Sequence, residues 1–177
     1  RNTGRGSFEE GAASAGVDHP GKTLGVTFGD YDGDGDPDLY ASDVGGANIL
    51  YRNEGDGTFV DVTYLAGVSE PGAGSYVAFF FDYNNDGYLD LFVSAFAYFE
   101  SFVQSQVSGK AHGPSVPHLY HNNGDGTFTN VAEGTILSRA VGSMGAGFGD
   151  VDYDGFVDIY LSNGGPNFDR LEPNILY

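Results

Sequence analysis

The sequence predicts an all-β fold made of three similar units, each with four short antiparallel strands, and three observations support this. An Asp-rich loop occurs as DYDGDGDPDLY from Asp30, DYNNDGYLDLF from Asp82 and DVDYDGFVDIY from Asp150. A strand, a Gly-Asp-Gly turn and a second strand occur together as ILYRNEGDGTFVDVT from Ile49 and HLYHNNGDGTFTNVA from His118. Gly-Asp-Gly between apolar runs is typical of a β-hairpin, and helical periodicity is nearly absent from the chain.

The middle unit shows the four strands in order. YVAFFFD leads into the Asp-rich loop, LDLFVSAF leaves it, and HLYHN and TFTNVA form the hairpin. Phe79 and Phe81 alternate with Phe80, as expected for a strand packed between two neighbouring units. Repeated units of four antiparallel strands are typical of the blades of a β-propeller.

The predicted blades form a single propeller segment that covers residues 1–177. The first complete blade is 21–70, the second is 71–138 with an insertion at 97–117, and the third is 139–177. RNTGRGSFEEGAASAGV at the start aligns with RNEGDGTFVDVTYLAGV from Arg52, and PNILY at the end aligns with ANILY, which ends at Tyr51. Residues 1–20 are therefore predicted to be the outer hairpin strand of a split blade. They would complete the blade at 139–177 of the same copy or of a neighbouring copy.

A row of three blades is shorter than typical propellers, which have about four to eight, and an open arc leaves strand edges that can pair. Two copies joined head to tail would give a six-bladed ring, and the same contact would give a filament if the rotation did not close. Alternatively, the chain is an excerpt of a longer polypeptide. The sequence leaves these possibilities open.

The Asp-rich loops have the spacing of calcium ligands. They share the pattern D-x-[DN]-x-D-G-x-x-D, with oxygen-bearing side chains at positions 1, 3, 5 and 9 and glycine at position 6. Ca²⁺ binds about six to eight oxygens, and a backbone carbonyl at position 7 can add to the side chains. A helix–loop–helix calcium site is excluded, because position 12 holds Ala41, Val93 or Leu161 instead of glutamate and the flanking segments are β-type.

Composition limits the class of protein. The chain has 25 acidic and 7 basic residues and a formal charge of −18, so it has no basic stripe for nucleic acid. It contains no cysteine, which excludes disulfides and thiolate metal sites and is compatible with an extracellular protein that calcium stabilises. No apolar run approaches the length of about 18 residues that a membrane span needs.

These motifs resemble the FG-GAP/VCBS repeat family, the integrin-α-like propeller blades that also occur in bacterial secreted proteins. The resemblance is carried by FGDYDGDGDPDLY, FFDYNNDGYLDLF, FGDVDYDGFVDIY, LYRNEGDGTF and LYHNNGDGTF, and it covers the chain apart from the insertion. The order of the motifs most resembles the propellers that precede ASPIC/UnbV-type domains. The resemblance implies an extracellular, calcium-stabilised propeller used for adhesion, ligand binding or scaffolding.

The resemblance also implies a ligand set for about three Ca²⁺ per chain. The side chains are Asp30, Asp32, Asp34 and Asp38 in the first loop, Asp82, Asn84, Asp86 and Asp90 in the second, and Asp150, Asp152, Asp154 and Asp158 in the third. The backbone carbonyls of Asp36, Tyr88 and Phe156 complete the sets. Asn84 is neutral, so the second site is predicted to be the weakest, and the Asp36 carboxylate is predicted to be a solvated charge.

The sequence does not predict an enzyme. The histidines, His19, His112, His118 and His121, lack zinc-site spacing and are interpreted as ordinary turn or strand residues. Ser143 is followed directly by Met144 and Gly145, so it lacks the spacing of a nucleophile elbow. Glycoside chemistry needs a pair of carboxyl groups, and Glu100, Glu133 and Glu172 outside the loops show no pairing in the sequence.

The predicted function is that of an extracellular calcium-binding repeat protein with a structural, adhesive or self-assembling role. Its expected partners are other copies of itself, neighbouring blades, or an extracellular glycan or protein. The alternative is a carbohydrate-binding or carbohydrate-active propeller of the lectin or polysaccharide lyase kind. A ligand patch for it is predicted in the insertion, where the candidate side chains either bind a ligand or pack the loop down: Tyr98, Phe99, Phe102 and His112.

Overall fold

The computed structural model contains antiparallel sheets arranged in a row. It describes residues 1–69, 74–96, 107, 116–138, 142–163 and 174–177. The first sheet comprises β1 (Thr23–Gly29), β2 (Asp38–Asp43), β3 (Ile49–Asn53) and β4 (Phe59–Asp61). The second comprises β5 (Ser75–Phe81), β6 (Asp90–Ala95), β7 (His118–Asn122) and β8 (Phe128–Asn130), and the third comprises β9 (Ser143–Gly149), β10 (Asp158–Asn163) and β11 (Ile175–Leu176).

The sheets are propeller blades, as the sequence predicts. In each one, consecutive strands pair in chain order, and the Asp-rich loop connects the first strand to the second. The aspartate that opens the second strand pairs with the last residue of the first strand, as in Asp38 with Gly29 and Asp90 with Phe81. Asp158 and Gly149 form the same pair in the third blade. The repeated loop motif therefore occupies one structural position in all the described blades.

Helical segments are short. Those fully within the described ranges include α1 (Ala12–Ala15), α2 (Thr63–Ala66) and a 3-10 turn at Ile136–Ser138. Gly16 and Gly67 end α1 and α2 with φ of 78° and 77°, left-handed values that suit glycine. These equivalent ends agree with the alignment of the start of the chain with the segment from Arg52.

Two apolar cores lie between the blades. In the first, Ala78 and Phe80 of β5 pack against a cluster that includes Tyr40 and Leu50 of the first blade. In the second core, residues of the second blade pack against Ile159 and Leu161 of the third blade. The residues from the second blade include Phe79, Phe81 and Phe92. Strand β5 is thus buried on both faces, which confirms the predicted reason for its alternating phenylalanines.

The N-terminal segment lies against the first blade. A Cβ built on Gly16 would lie 2.9 Å from the carbonyl oxygen of Phe59, and one built on Gly67 would lie 3.2 Å from that of Phe128. Because Phe59 and Phe128 are equivalent, residues 1–17 contact the first blade in the way that the end of the first blade contacts the second. The completion of the third blade by residues 1–20 of the same or a neighbouring copy stays a prediction.

The described residues include no helix that is both long enough and apolar enough to cross a membrane.

The close approach of the first two blades generates a prediction. A Cβ on Gly25 would lie 2.1 Å from the carbonyl oxygen of Tyr76 on β5, whereas a Cβ on Gly147 of β9 would meet no atom within 4 Å. Gly25→Ala should therefore lower the free energy of unfolding by at least about 2 kcal/mol, since a packed backbone must move. Urea unfolding, with Gly147→Ala as the matched control, measures this, and equal stability of the two variants would contradict it.

Candidate metal centres

The first and third Asp-rich loops each bring a group of carboxylates together. In the first loop, Asp30, Asp32 and Asp38 each place one carboxylate oxygen within 4.8 Å of the others. Asp150, Asp152 and Asp158 do the same in the third loop. Ligands on opposite sides of a Ca²⁺ ion are separated by about 4.8 Å, twice a typical bond of about 2.4 Å, so these groups fit the ion.

Backbone amides fix the shape of these loops. Oδ2 of the first aspartate accepts a hydrogen bond from the N–H of the glycine at position 6, at 3.0 Å for Asp30 and Gly35 and at 2.9 Å for Asp82 and Gly87. Gly35 and Gly87 have φ of 95° and 90°, left-handed values that favour glycine at this position. The loop is therefore held closed by its own ligand side chains.

The second loop has different contacts. Asn84 donates from Nδ2 to Oδ2 of Asp86 at 2.7 Å, and its Oδ1 accepts from the N–H of Asp86 at 3.2 Å. The Asn84 amide thus hydrogen-bonds to a carboxylate oxygen of Asp86. A cation that binds this oxygen would have to displace the amide. This contact gives a structural reason to expect the second site to be the weakest, as the sequence predicts.

The aspartates at position 5 stand outside the close carboxylate groups. Asp34 Oδ1 accepts from the N–H of Asp36 at 2.9 Å, and Asp154 Oδ1 accepts from the N–H of Phe156 at 2.9 Å. Asp86 makes the same bond to Tyr88, and the hydrogen bond lowers the pKa of the Asp86 carboxyl. Their predicted role as ligands requires a shift of the side chain toward the ion.

Side chains at position 7 cover the neighbouring hairpin. A Cβ on Gly55 would lie 2.6 Å from the Asp36 carboxylate, and one on Gly124 would lie 2.9 Å from the Tyr88 ring. The Asp36 carboxylate, expected from the sequence to be solvated, therefore lies half-buried against the hairpin turn. Position 7 thus contributes a packing side chain in addition to its carbonyl.

The aspartate at position 9 connects the loop to the hairpin in the first two blades. Asp38 is fully buried, and it accepts from the N–H of Tyr31 at 3.1 Å and from the N–H of Asn53 at 2.8 Å. Asp90 is also fully buried and accepts from the N–H groups of Tyr83 and Asn122 at 3.1 and 2.8 Å. This side chain is both a candidate ligand and a structural link.

Burial and like charge disfavour ionisation at these sites in the absence of a cation. Burial raises the pKa of Asp38 to about 6, and the charges of Asp32 and Asp34 add to the rise although both backbone N–H groups oppose it. Burial also raises the pKa of Asp90. A divalent cation would stabilise the ionised carboxylates and reverse these shifts.

One contact near the second loop was missed at the level of sequence. Nδ1 of His121 lies 3.2 Å from Oδ1 of Asp90 and 3.9 Å from Oδ2 of Asp86. His121 occupies the strand position of Arg52, whose guanidinium pairs with Glu54 at 2.7 Å. Alignment of LYHN with LYRN shows that a nitrogen-bearing side chain, histidine or arginine, recurs at this strand position.

The other chemical candidates show no catalytic arrangement among the described residues. Ser143 is fully buried and donates to the carbonyl oxygen of Gly145 at 2.9 Å. His118 stacks on Tyr120 at 5.7 Å, and Nε2 of His19 lies 3.8 Å from Oδ2 of Asp43. Glu133 is exposed. The remaining candidates lie outside the described residues: Tyr98, Phe99, Glu100, Phe102, His112 and Glu172.

Repeated four-stranded blades, each with an Asp-rich loop between its first two strands, define a β-propeller repeat protein. The sequence profile of the FG-GAP-like repeat family matches residues 1–41, 34–93 and 107–161, and the chain belongs to this family.

Curated relatives share parts of this sequence. Cartilage acidic protein 1 of Homo sapiens is 39% identical over 83 residues, which are 45% of this chain and 12% of the relative. Cartilage acidic protein 1 of Xenopus tropicalis is 27% identical over 168 residues, which are 90% of this chain and 23% of the relative. The chain therefore spans less than a quarter of the length of these relatives.

The raised pKa of Asp38 generates a prediction. In chelator, the Asp38 carboxyl should titrate near pH 6, and saturating calcium should move the midpoint well below pH 4, because the ion favours the ionised form. The folded pKa of Asp38 exceeds the unfolded value of 3.8, so its protonated carboxyl stabilises the metal-free fold. This stabilisation is fully present below pH 4 and is lost as the pH rises through 6.

Carboxyl-carbon NMR measures both midpoints. Asp125 serves as the control, because its hydrogen bonds to Thr127 lower its pKa and it is not a predicted ligand. A metal-free Asp38 midpoint near the ordinary value, or one that calcium leaves unchanged, would contradict the prediction.

Proposed function

We propose that this chain is an extracellular, calcium-binding repeat module whose role is structural or adhesive. The observation that carries the proposal is the convergence of Asp30, Asp32 and Asp38 within 4.8 Å, repeated in the third loop. Oxygen-only donor sets of this kind suit a hard cation such as Ca²⁺. The position-5 aspartate and the position-7 carbonyl would complete each set.

The proposed role of the ion is to stabilise the blade. Bound Ca²⁺ would neutralise the aspartates and connect the first strand to the second, and through Asp38 or Asp90 it would act on the hairpin as well. Three ions, each with a charge of +2, would change the formal charge from −18 to −12. Folding and metal binding would therefore be coupled.

An extracellular location fits the expected affinity. Extracellular calcium modules bind at about 10⁻⁴ to 10⁻³ M, a range suited to the calcium concentration outside cells. The absence of cysteine leaves the cation as the available cross-link. The relatives are named for cartilage and for their acidity, and this chain shares the acidity.

Self-association is part of the proposal. The exposed face of β1 carries Leu24, Val26 and Phe28, which are 53%, 61% and 62% exposed. The equivalent residues Ala78 and Phe80 of the second blade are buried against the first blade. An apolar face of this kind is the usual contact of one blade with the next, so the proposed partner is a further blade, in another copy of the chain or in the same polypeptide.

Calcium binding is tested by a matched pair of substitutions in the first loop. Asp34→Ala should remove one of about three calcium equivalents in isothermal titration, whereas Asp36→Ala, with the same change in charge, should retain all of them. At a free calcium concentration of about 100 times Kd, each site should add about 2.7 kcal/mol to the free energy of unfolding, and Asp34→Ala should lose one such contribution.

The same comparison contains the result that would refute the proposal. If calcium leaves the thermal stability of the unsubstituted chain unchanged, or if both variants bind as many ions as that chain, the Asp-rich loops are not calcium sites.

A further inference from the structure

A buried asparagine connects the first two Asp-rich loops. Asn122 is the last residue of β7, belongs to the hairpin of the second blade and is 1% exposed. Its Nδ2 group donates to the carbonyl oxygen of Tyr31 in the first loop at 2.8 Å and to that of Leu89 in the second loop at 2.9 Å. One amide group therefore donates to both loops, which belong to different blades.

The hydrogen bonds continue from this amide to a candidate ligand in each loop. Tyr31 N–H donates to Oδ2 of Asp38 at 3.1 Å, and Asn122 N–H donates to Oδ1 of Asp90 at 2.8 Å. A hydrogen-bond path thus runs from Asp38 through Tyr31 and Asn122 to Asp90, and all four residues are buried. Buried polar groups hold one geometry, because a broken bond would leave an unpaired group away from water.

The equivalent asparagine of the first blade makes a bond within its own blade. Asn53 Nδ2 donates at 3.0 Å to the carbonyl oxygen of Pro37, which is the residue of the first loop equivalent to Leu89. Asn53 and Asn122 also share two bonds: the N–H of each donates to a buried aspartate, and the Oδ1 of each accepts from the glycine two residues later. Against this common pattern, the bond from Asn122 to Tyr31 is the one that crosses between blades.

Apolar packing supports the same junction. The ring of Tyr31 lies 5.5 Å from the ring of Phe128, and Phe128 pairs with Asn122 across the hairpin. Leu89 packs against the core that contains both rings. A displacement of Tyr31 would therefore disturb the hairpin of the second blade, and the second loop with it.

The hydrogen-bond path indicates the direction of an effect between the loops. Before a cation binds, repulsion among the carboxylates of each loop opposes the closed arrangement. A cation in the first loop would remove that repulsion and fix Asp38 and Tyr31, to which the Asn122 amide is bonded. Asn122 in turn holds Leu89 and Asp90, so part of the ordering that the second site requires would already be complete.

We propose that Asn122 couples the first and second calcium sites, so that calcium in either site raises the affinity of the other. This inference rests on the proposed calcium-binding function and deepens it by naming how two of the sites regulate each other. The net contribution of one hydrogen bond corresponds to a change in affinity of about two- to tenfold, which is the coupling we expect. Since the second site is predicted to be the weakest, the first site fills earlier and assists the second.

Variants that each lose one site measure the coupling. Asp34→Ala disables the first site and Asp86→Ala the second, and both positions lie outside the hydrogen-bond path. Carboxyl-carbon NMR of Asp38 and Asp90 follows each site during calcium titration, in about 0.15 M salt to screen repulsion between bound ions. The remaining site of the pair should bind about two- to tenfold more weakly than in the unsubstituted chain, by the same factor in both variants. Unchanged affinities would overturn the coupling.

A matched pair of asparagine variants tests the role of Asn122. Asn122→Ala and Asn53→Ala both lose the bond from the hairpin glycine and the bond to the equivalent loop carbonyl, but only Asn122→Ala loses the bond to Tyr31. When the titrations are repeated in each background, the coupling factor should fall to about one with Asn122→Ala and persist with Asn53→Ala. Equal coupling factors in the two backgrounds would overturn the role of Asn122.

The side-chain amide signal of Asn122 gives a measurement that needs no substitution at this residue. In Asp86→Ala it should shift when calcium fills the first site, and in Asp34→Ala it should shift when calcium fills the second site. The Asn53 amide is the control and should follow the first site, because its partner Pro37 lies in the first loop. An Asn122 amide that responds to the second site alone would overturn the proposal, even if Asn122→Ala does not fold.

The same titrations separate this inference from the proposed function. A chain that binds calcium at both loops with independent affinities would overturn the coupling and leave the calcium-binding function intact. A chain that binds no calcium at either loop would overturn both.

Discussion

A buried aspartate at the start of the second strand holds each complete blade together. Asp38 and Asp90 each accept one N–H from the Asp-rich loop and one from the hairpin between the third and fourth strands. Unpaired buried carboxylates are costly, so both hydrogen bonds must form for the blade to close. The same side chain faces the candidate metal centre, and for this reason the charge of the loop and the geometry of the hairpin depend on each other.

Packing between blades depends on a contrast in side-chain size along the first strand. Strand β5 has large residues on both faces and fills the cores on each side, with Phe79 stacking on Phe92 at 5.0 Å and contacting Phe148 at 4.8 Å. Strand β1 instead has glycine on the face toward β5, and a Cβ on Gly29 would lie 2.7 Å from the Phe80 ring. A large side chain on the second blade thus occupies the space that glycine leaves on the first blade. The two faces that meet between these blades are therefore not interchangeable.

The acidity of the chain has a structural explanation. Its Asp-rich loops lie at equivalent positions of consecutive blades, and Asn85 of the second loop donates to the carbonyl of Gly155 in the third at 2.9 Å. Neighbouring loops therefore form one acidic edge of the segment. The guanidinium of Arg52, which pairs with Glu54, balances only part of this charge. A divalent ion in each loop would balance more of it, and this electrostatic need links the repeat structure to the proposed function.

The sequence by itself determined the blades, the loop positions and the glycines that turn the loops. These features depend on contacts between residues that are close in the chain, and each of the three repeats shows them separately. Only the tertiary structure decided that Asp38 is buried with two N–H donors, that His121 reaches Asp90, and that Asn84 occupies an oxygen of Asp86. It also placed residues 1–17 against the first blade. Such contacts join distant segments, and their distances and burial follow from blade packing, which residue spacing does not encode.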